Sequence, residues 1–210
     1  MIGFYNYTVI LTYIGLFSSI LGMVFALNGR TSIAIFCLMF SGLCDMFDGQ
    51  VASTKKDRTE EEKKFGIQID SLCDVICFGV LPAVIGYSLN ISTTIGYACM
   101  SLFVLGGVIR LAFFNVMAEK KVETNDDKPS YYRGLPITSS ALIFPGLMLI
   151  NKIIPFGNAL PLIYEIALLT CAFLFVIDIQ IHKPKKVGKF LLLLLGLILF
   201  VLYFEFKFTF

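Results

Sequence analysis

Two pairs of aspartates lie at the facing ends of two apolar segments, and they are the residues of this chain best suited to chemistry. Asp45 and Asp48 are three residues apart, and Asp70 and Asp74 are four apart, so on helices each pair shares a face. Two such pairs facing each other would gather four carboxylates around one point. Carboxylate oxygens are hard ligands, so this arrangement suits Mg²⁺, Mn²⁺ or Ca²⁺ and a phosphate-bearing substrate.

Small residues accompany the aspartates. Gly49 follows Asp48, Ala52 lies one turn beyond it, and Gly66 precedes Asp70 by one turn. Side chains of this size let a bulky ligand or a neighbouring helix approach the backbone. This disfavours the simpler interpretation, in which the aspartates are only solvated charges at helix ends. Four ionised carboxylates at one place would also repel each other strongly without a cation, which favours metal binding.

The composition is that of a membrane protein. Of 210 residues, 57% are hydrophobic and 15% are charged, with a mean hydropathy of +0.83, whereas soluble domains carry about 25% charged residues. A helix that spans a bilayer needs about 20 apolar residues, and seven segments qualify. They cover residues 8–28, 32–53, 66–88, 93–117, 134–151, 158–181 and 189–206.

These segments predict an all-α, polytopic transmembrane bundle of about six or seven spans. The bundle would form a single membrane domain over residues 1–210. Pro82 falls inside the third segment, and we expect it to kink the helix or to be accommodated by neighbouring helices.

The positions of lysine and arginine predict the orientation of the bundle. Of the 17 basic residues, 13 fall in the three loops that follow the second, fourth and sixth segments. Cytoplasmic loops are enriched in Lys and Arg, so we expect these loops, the N-terminus and the aspartates at the cytoplasmic face of the cell membrane. Seven spans would place the C-terminus outside. If the last segment does not span, the C-terminus changes side but the aspartates do not.

The cysteines do not indicate a metal site or a disulfide framework. All six, at positions 37, 44, 73, 77, 99 and 171, fall in apolar segments, and no CxxC pair occurs. We interpret them as small buried hydrophobic residues. No cleavable signal peptide is predicted, because no basic region precedes the first apolar run.

The stretch from Leu43 to Ala83 resembles the signature of the CDP-alcohol phosphotransferase family. That signature is D, two residues, DG, two residues, AR, a spacer, G, three residues, D, three residues, D. The chain matches it in register at Asp45, Asp48, Gly49, Ala52, Gly66, Asp70 and Asp74. A spaced motif of this length on two segments is rarely matched by chance.

Two features depart from the signature. The arginine that follows the alanine is Ser53 here, and the spacer to Gly66 is longer than usual, at 12 residues. Lys55, Lys56 or Arg58 could take the place of this phosphate-facing arginine. Each of these residues also fits the general excess of positive charge expected on the cytoplasmic side.

Within the family, the chain is most similar to the phosphatidylserine synthase subgroup. The run IDSLCDVICFGVLPA resembles that subgroup's LDSLADVVSFGVAPA. The run RLAFFNV, which begins at Arg110, resembles RLARFNV, and RGLPITSS, which begins at Arg133, resembles GLPxPxAA. Thr8 and Thr12 loosely match the Asn- and Thr-containing start of the family.

The resemblance implies an enzyme that transfers the phosphatidyl group of CDP-diacylglycerol to L-serine, with Mg²⁺ or Mn²⁺, usually two ions, and a homodimeric assembly. In this interpretation Asp45, Asp48, Asp70 and Asp74 hold the metal, and Asp74 is also the base that takes the proton of the acceptor hydroxyl. The substrate-binding residues would be Gly49, Ala52, Ser53, Arg58, Gly66, Arg110, Asn115 and Arg133.

Other functions stay open at this point. A related enzyme could use glycerol 3-phosphate or inositol phosphate, although such acceptors would want more cations near the acceptor pocket. A small cation transporter or channel would use the aspartates as an ion path, but it would spread its carboxylates through the membrane depth. A purely structural membrane protein leaves the motif unexplained.

Overall fold

The computed structural model describes residues 3–4, 6–55, 57–124, 132–178 and 180–181, with positions 196 and 201, excepting the side chains of 120–124, 132–133 and 180–181. Helices make up most of this part of the chain. They are α1 (Ile10–Leu27), α2 (Thr31–Thr54), α3 (Glu60–Asp74), α4 (Leu81–Ser88), α5 (Thr94–Thr124), α6 (Ser140–Ile153) and α7 (Leu160–Val176). A two-residue antiparallel pair joins β1 (Tyr132–Arg133) to β2 (Gln180–Ile181). The predicted helical class is confirmed.

Within the described residues, five helical segments are long and apolar enough to cross a membrane, which indicates a multi-pass membrane protein. They are Tyr7–Leu27, Thr31–Thr54, Glu60–Ser88, Thr94–Glu119 and Gly157–Val176. A sixth, Ile137–Ile153, is apolar but shorter. These six correspond to the first six predicted segments. The seventh, 189–206, lies outside the described residues apart from positions 196 and 201.

Two predicted boundaries were wrong for local reasons. The third helix begins at Glu60 rather than at residue 66, because Thr59 and Glu62 form a capping box and three glutamates occupy the first turn. Acidic residues at a helix N-terminus stabilise it although they lower hydropathy. The sixth helix ends at Val176 rather than at 181, and the chain then pairs residues 180–181 with 132–133.

Pro82 is accommodated by a wider helical turn. A π-helical turn, Val75–Val80, separates α3 from α4, and the Leu81 N–H donates to the Ile76 carbonyl five residues earlier. Proline has no N–H, and its ring collides with the carbonyl four residues before it in a regular helix. Such wide turns occur often at functional sites, and this one begins directly after Asp74.

Helices α1 and α2 form a closely packed antiparallel hairpin. A Cβ at Gly22 would lie 2.9 Å from the Cys37 Cβ, so the approach depends on glycine. The Ser41 hydroxyl donates to the Gly15 carbonyl at 2.8 Å and shares a 2.8 Å hydrogen bond with the Ser19 hydroxyl. Small residues and hydroxyls are typical of helix contacts in membranes. This contact places the start of α1 beside the aspartates of α2.

Aromatic side chains fill the centre of the bundle. The Phe144 ring lies 5.5 Å from Phe103 and 4.9 Å from Tyr164, measured between centroids. The Tyr164 hydroxyl donates to the Pro82 carbonyl at 3.0 Å, so the buried ring also has a polar partner. All six cysteines are buried and free, which confirms their interpretation as core residues.

Candidate active site

Three aspartates from two helices converge at one end of the bundle. Asp45 on α2 and Asp70 and Asp74 on α3 each place a carboxylate oxygen within 4.8 Å of the other two. Asp74 is buried, with 8% of its surface exposed. The helical spacing brings Asp70 and Asp74 onto one face, and the α2–α3 packing supplies the third group.

Asp48 lies beside this cluster rather than within its tightest part. Its carboxyl group lies close to that of Asp70. The Thr12 hydroxyl of α1 also donates to Asp48 Oδ2 at 3.2 Å. The four predicted carboxylates are therefore contiguous. Sequence reasoning had given Thr12 no role beyond a loose match, because only the α1–α2 hairpin brings it to the site.

The site suits a hard divalent cation. Asp70 Oδ1 is buried and has no hydrogen-bond partner among the described residues, although buried polar atoms normally have one. A cavity of about 10 Å³ beside the cluster is lined in part by Thr12, Asp45 and Asp74, and this is roughly the space of one water-sized sphere. An all-oxygen donor set fits Mg²⁺ or Mn²⁺. Oxygens on one Mg²⁺ lie at most about 4.2 Å apart, so small side-chain adjustments would close the cluster.

A larger groove lies elsewhere and does not suit this chemistry. It measures about 330 Å³ and lies on the outer face of α1, lined by Ile10, Tyr13, Ile14 and Phe17. This lining is almost wholly apolar and contains no carboxylate. Such a surface suits lipid chains, so we place the chemistry in the small acidic cavity.

The small residues near the aspartates have different surroundings. Gly49 is exposed, and a Cβ built there would meet no atom of the described residues within 4 Å. Ala52 is partly buried on the same helix. A Cβ at Gly66 would instead lie 2.5 Å from Arg58 Nη2. Gly49 therefore leaves open space beside Asp48, whereas Gly66 receives a guanidinium group.

The loop between α2 and α3 contains the candidate replacements for the missing arginine. Ser53 is exposed, and its hydroxyl donates to the Gln50 carbonyl at 2.6 Å. Lys55 forms an ion pair with Glu62 at 2.8 Å. Arg58 Nη2 donates to the Glu62 backbone carbonyl at 3.1 Å. Lys56 lies outside the described residues.

Arg110 is buried, with 6% exposure. Its Cζ atom lies 4.6 Å from the centroid of the Phe114 ring. A Cβ at Gly134 would be 3.0 Å from Arg110 Nη1. Gly134 also has a φ of +67°, so both the close contact and the backbone conformation favour glycine at this position. The side chain of Arg133, another predicted substrate contact, lies outside the described residues.

Asn115 belongs to a polar chain between α3 and α5. Ser71 Oγ donates to Asn115 Oδ1 at 2.8 Å, Asn115 Nδ2 donates to Gln68 Oε1 at 3.1 Å, and Gln68 Nε2 donates to Glu119 Oε1 at 2.9 Å. Arg110 is five residues away on α5 and therefore on a different face, so the structure does not bring these two predicted residues together. The polar spacing of Gln68 and Ser71 on an apolar helix was the signal that could have found this chain.

The match to known proteins decides the family. Residues 5–177, which include all four aspartates, match the family model described as CDP-alcohol phosphatidyltransferase. The chain belongs to this family. The resemblance inferred from the spaced aspartates is thereby confirmed.

Three curated relatives are similar to this chain over most of its length. CDP-diacylglycerol–serine O-phosphatidyltransferase of Helicobacter pylori is 33% identical over 188 residues, which is 87% of this chain and 74% of the relative. The protein of the same name from Saccharomyces cerevisiae is 32% identical over 153 residues, 68% of this chain and 54% of the relative. Archaetidylserine synthase of Methanothermobacter thermautotrophicus is 34% identical over 126 residues, 60% of this chain and 50% of the relative. The chain thus spans about half the length of the last two.

The family is metal-dependent, and this chain has an aspartate cluster that could hold the ion. Clustering of the carboxylates at one end also disfavours the transporter hypothesis, which expected them to be spread through the membrane depth.

Proposed function

We propose that this protein transfers the phosphatidyl group of CDP-diacylglycerol to L-serine, giving phosphatidylserine and CMP. The observation that carries the proposal is the convergence of Asp45, Asp70 and Asp74, whose oxygens lie within 4.8 Å of one another. The names of the Helicobacter and Saccharomyces relatives specify serine as the acceptor of those proteins. That likeness favours serine over other alcohols.

The reaction is a single displacement at phosphorus. The serine hydroxyl oxygen attacks the β-phosphorus, the bond from this phosphorus to the bridging oxygen breaks, and CMP leaves with the electron pair. We assign Asp74 as the base that takes the hydroxyl proton, because its buried carboxylate lies at the inner end of the cluster. Mg²⁺ or Mn²⁺, as one or two ions, would neutralise the charge of the diphosphate when bound. We assign Asp45, Asp48, Asp70 and Asp74 as its ligands.

The other predicted substrate residues are also part of the proposal, and the observations that support them differ from residue to residue. The open space over Gly49 and the small side chain of Ala52 would admit the nucleotide. Arg110 offers a buried cation for a phosphate or for the serine carboxylate. Asn115 would act through α3, because its amide already bonds Ser71 and Gln68. Ser53 and Arg133 have no further support from the described side chains.

We further infer that the site faces the cytoplasm from the cell membrane. Lys55, Arg58 and Lys63 lie at the aspartate end of the bundle, whereas Arg30 and Lys152 lie at the opposite end. This asymmetry supports the predicted orientation. A single domain over residues 1–210 and a homodimer also stay predictions.

A panel of acceptors tests the reaction. With CDP-diacylglycerol in detergent micelles, we expect purified protein to release CMP at least about tenfold faster with L-serine than with glycerol 3-phosphate or inositol phosphate. A difference of this size corresponds to roughly 1.4 kcal/mol of discrimination. A preference for a phosphate-bearing acceptor would replace serine in the proposal. Absence of CMP release with every acceptor would overturn the transferase activity itself.

The open space at Gly49 provides a second test. Gly49→Leu is expected to lower kcat/KM for CDP-diacylglycerol about tenfold or more, because the leucine side chain would occupy the space proposed for the nucleotide. Thermal stability should hold or rise, since leucine favours helix over glycine by up to about 1 kcal/mol. Gly146→Leu on α6 is the matched control, because a Cβ there also meets no described atom within 4 Å. Equal kinetics for the two variants would mean that the nucleotide does not use this space.

A further inference from the structure

The end of α2 lacks the arginine that the family signature places there. Ser53 stands where the family signature has arginine, and its hydroxyl is turned back to the Gln50 carbonyl. A serine hydroxyl cannot replace a guanidinium, which carries full charge and a planar fork of donors. If the enzyme binds a nucleotide diphosphate, another residue must supply the cation.

Arg58 reaches the aspartate-bearing face of α3 from the loop. Its Nη2 atom lies 2.5 Å from the position that a Cβ of Gly66 would occupy. Gly66 is four residues, about 6 Å along the helix axis, before Asp70. The guanidinium therefore lies one turn from a carboxylate of the cluster, which is a spacing that a diphosphate can bridge.

The hydrogen bonding of Arg58 is incomplete. Nη2 donates to the Glu62 backbone carbonyl at 3.1 Å, whereas Nε is buried without an acceptor among the described residues. A buried donor without a partner is costly. Phosphate oxygens are acceptors that guanidinium groups bind at two points. Arg58 is thus held in place at Nη2, while its Nε keeps a hydrogen-bonding capacity that no described residue satisfies.

Lys55 is less suited to this role, because its charge is already paired. The Glu62 carboxylate accepts from Lys55 Nζ at 2.8 Å, from the Thr59 N–H at 3.1 Å and from Asn6 Nδ2 at 3.4 Å. Glu62 therefore joins the N-terminal segment, the loop and the first turn of α3. The same residue presents the carbonyl that holds Arg58.

We propose that Arg58 is the diphosphate-binding cation of this enzyme, displaced from the end of α2 to the far end of the longer α2–α3 loop, and that Glu62 is its positioning residue. The inference rests on the proposed function in one respect, namely that the substrate is a CDP-alcohol. It does not depend on which alcohol accepts the phosphatidyl group.

Binding of CDP to purified protein in detergent with Mg²⁺, followed by calorimetry, tests the role of Arg58 without turnover. Arg58→Ala is expected to weaken CDP binding by about 10- to 100-fold, as expected for loss of hydrogen bonds to a charged group. Arg58→Lys should retain part of the affinity. Lys63→Ala, which removes an exposed charge from the same region, should change affinity less than about twofold. Equal affinity of wild type and Arg58→Ala would overturn the proposal.

Rescue separates phosphate binding from a structural role. Ser53→Arg restores the arginine of the family signature, and in the Arg58→Ala background it should recover at least a third of the lost affinity. Gly66→Ala should also weaken CDP binding, because its methyl group displaces the guanidinium, whereas Gly146→Ala should not. A loss in Arg58→Ala that neither Arg58→Lys nor Ser53→Arg relieves would overturn the proposal in favour of a structural role.

The positioning role of Glu62 is tested by additivity. Glu62→Ala keeps the backbone carbonyl that Arg58 bonds but removes the carboxylate that ties the loop together through Lys55 and the Thr59 N–H. It should therefore raise KM for CDP-diacylglycerol about three- to tenfold with a smaller change in KM for serine. The Glu62→Ala, Arg58→Ala double variant should match Arg58→Ala within about twofold, because residues that act through one another are not additive. Additive losses would remove Glu62 from the proposal.

The two proposals fail in distinguishable ways. If CDP binds through Arg58 but CMP release requires another acceptor, serine is wrong and Arg58 stands. If serine supports turnover but Arg58→Ala binds CDP normally, the reaction stands and this inference fails. If the wild-type protein binds no CDP, both are wrong.

Discussion

Asp74→Asn is expected to lower kcat for CMP release by about 10²- to 10⁴-fold, the usual contribution of a general base. Asparagine keeps the size and one oxygen of the side chain but cannot accept the proton of the serine hydroxyl. Because Asp74 is buried at the inner end of the cluster, no other carboxylate would easily replace it there. CDP-diacylglycerol and metal should still bind, so the loss should fall on kcat rather than on KM.

The measurement is CMP release at saturating CDP-diacylglycerol and serine, combined with CDP calorimetry on the same preparation. Asp57→Asn is the matched control, since it removes an exposed aspartate in the α2–α3 loop outside the cluster. Turnover retained in Asp74→Asn would remove the base assignment. Loss of CDP binding in parallel with turnover would instead make Asp74 chiefly a metal ligand.

Removal of the divalent ion is expected to reduce CMP release more than about 100-fold, and addition of Mg²⁺ or Mn²⁺ should restore it. The physical reason is charge, because loss of the ion removes several kcal/mol of stabilisation from the transition state. The ion should also stabilise the fold, by about 2.7 kcal/mol at a concentration of 100 times its Kd. The wild-type protein should therefore show a higher Tm with the ion than with a chelator.

The variant Asp70→Asn tests whether the ion that stabilises the fold binds at the aspartate cluster. The Asp70 carboxylate is one of several like charges that lie close together, and its Oδ1 atom is buried without a partner among the described residues. Removal of this charge lowers the repulsion, so the variant should be at least as stable as the wild type when a chelator is present. It should gain little stability from Mg²⁺ or Mn²⁺. A metal-induced rise in Tm equal to that of the wild type would show that the ion binds elsewhere. Asp57→Asn again serves as the control.

Much of the candidate site was predictable because it depends on local helical geometry. The spacings of Asp45 to Asp48 and of Asp70 to Asp74 place each pair on one helical face, whatever surrounds them. The apolar segments likewise predict helices, since a chain in lipid must satisfy its backbone hydrogen bonds internally. The pairing of neighbouring helices then left few ways to arrange the two pairs of carboxylates.

Other features depend on contacts between distant parts of the chain. Thr12 meets Asp48 only because glycines let α1 pack closely against α2. Asn115 bonds Ser71 and Gln68 because the packing of α5 against α3 brings this face of α5 to that helix. Neither outcome can be deduced from spacing along one helix.

Composition and short-range spacing were enough to predict the membrane class, the family and the four acidic residues proposed as the metal site. The packing of the helices places Asp48 beside the tight cluster of the other three. The tertiary structure also decided that Arg58, rather than Lys55, lies against Gly66 with a buried donor unpaired. The reason is that the path of a loop depends on capping and ion pairs, here those of Glu62, and on the helices it joins.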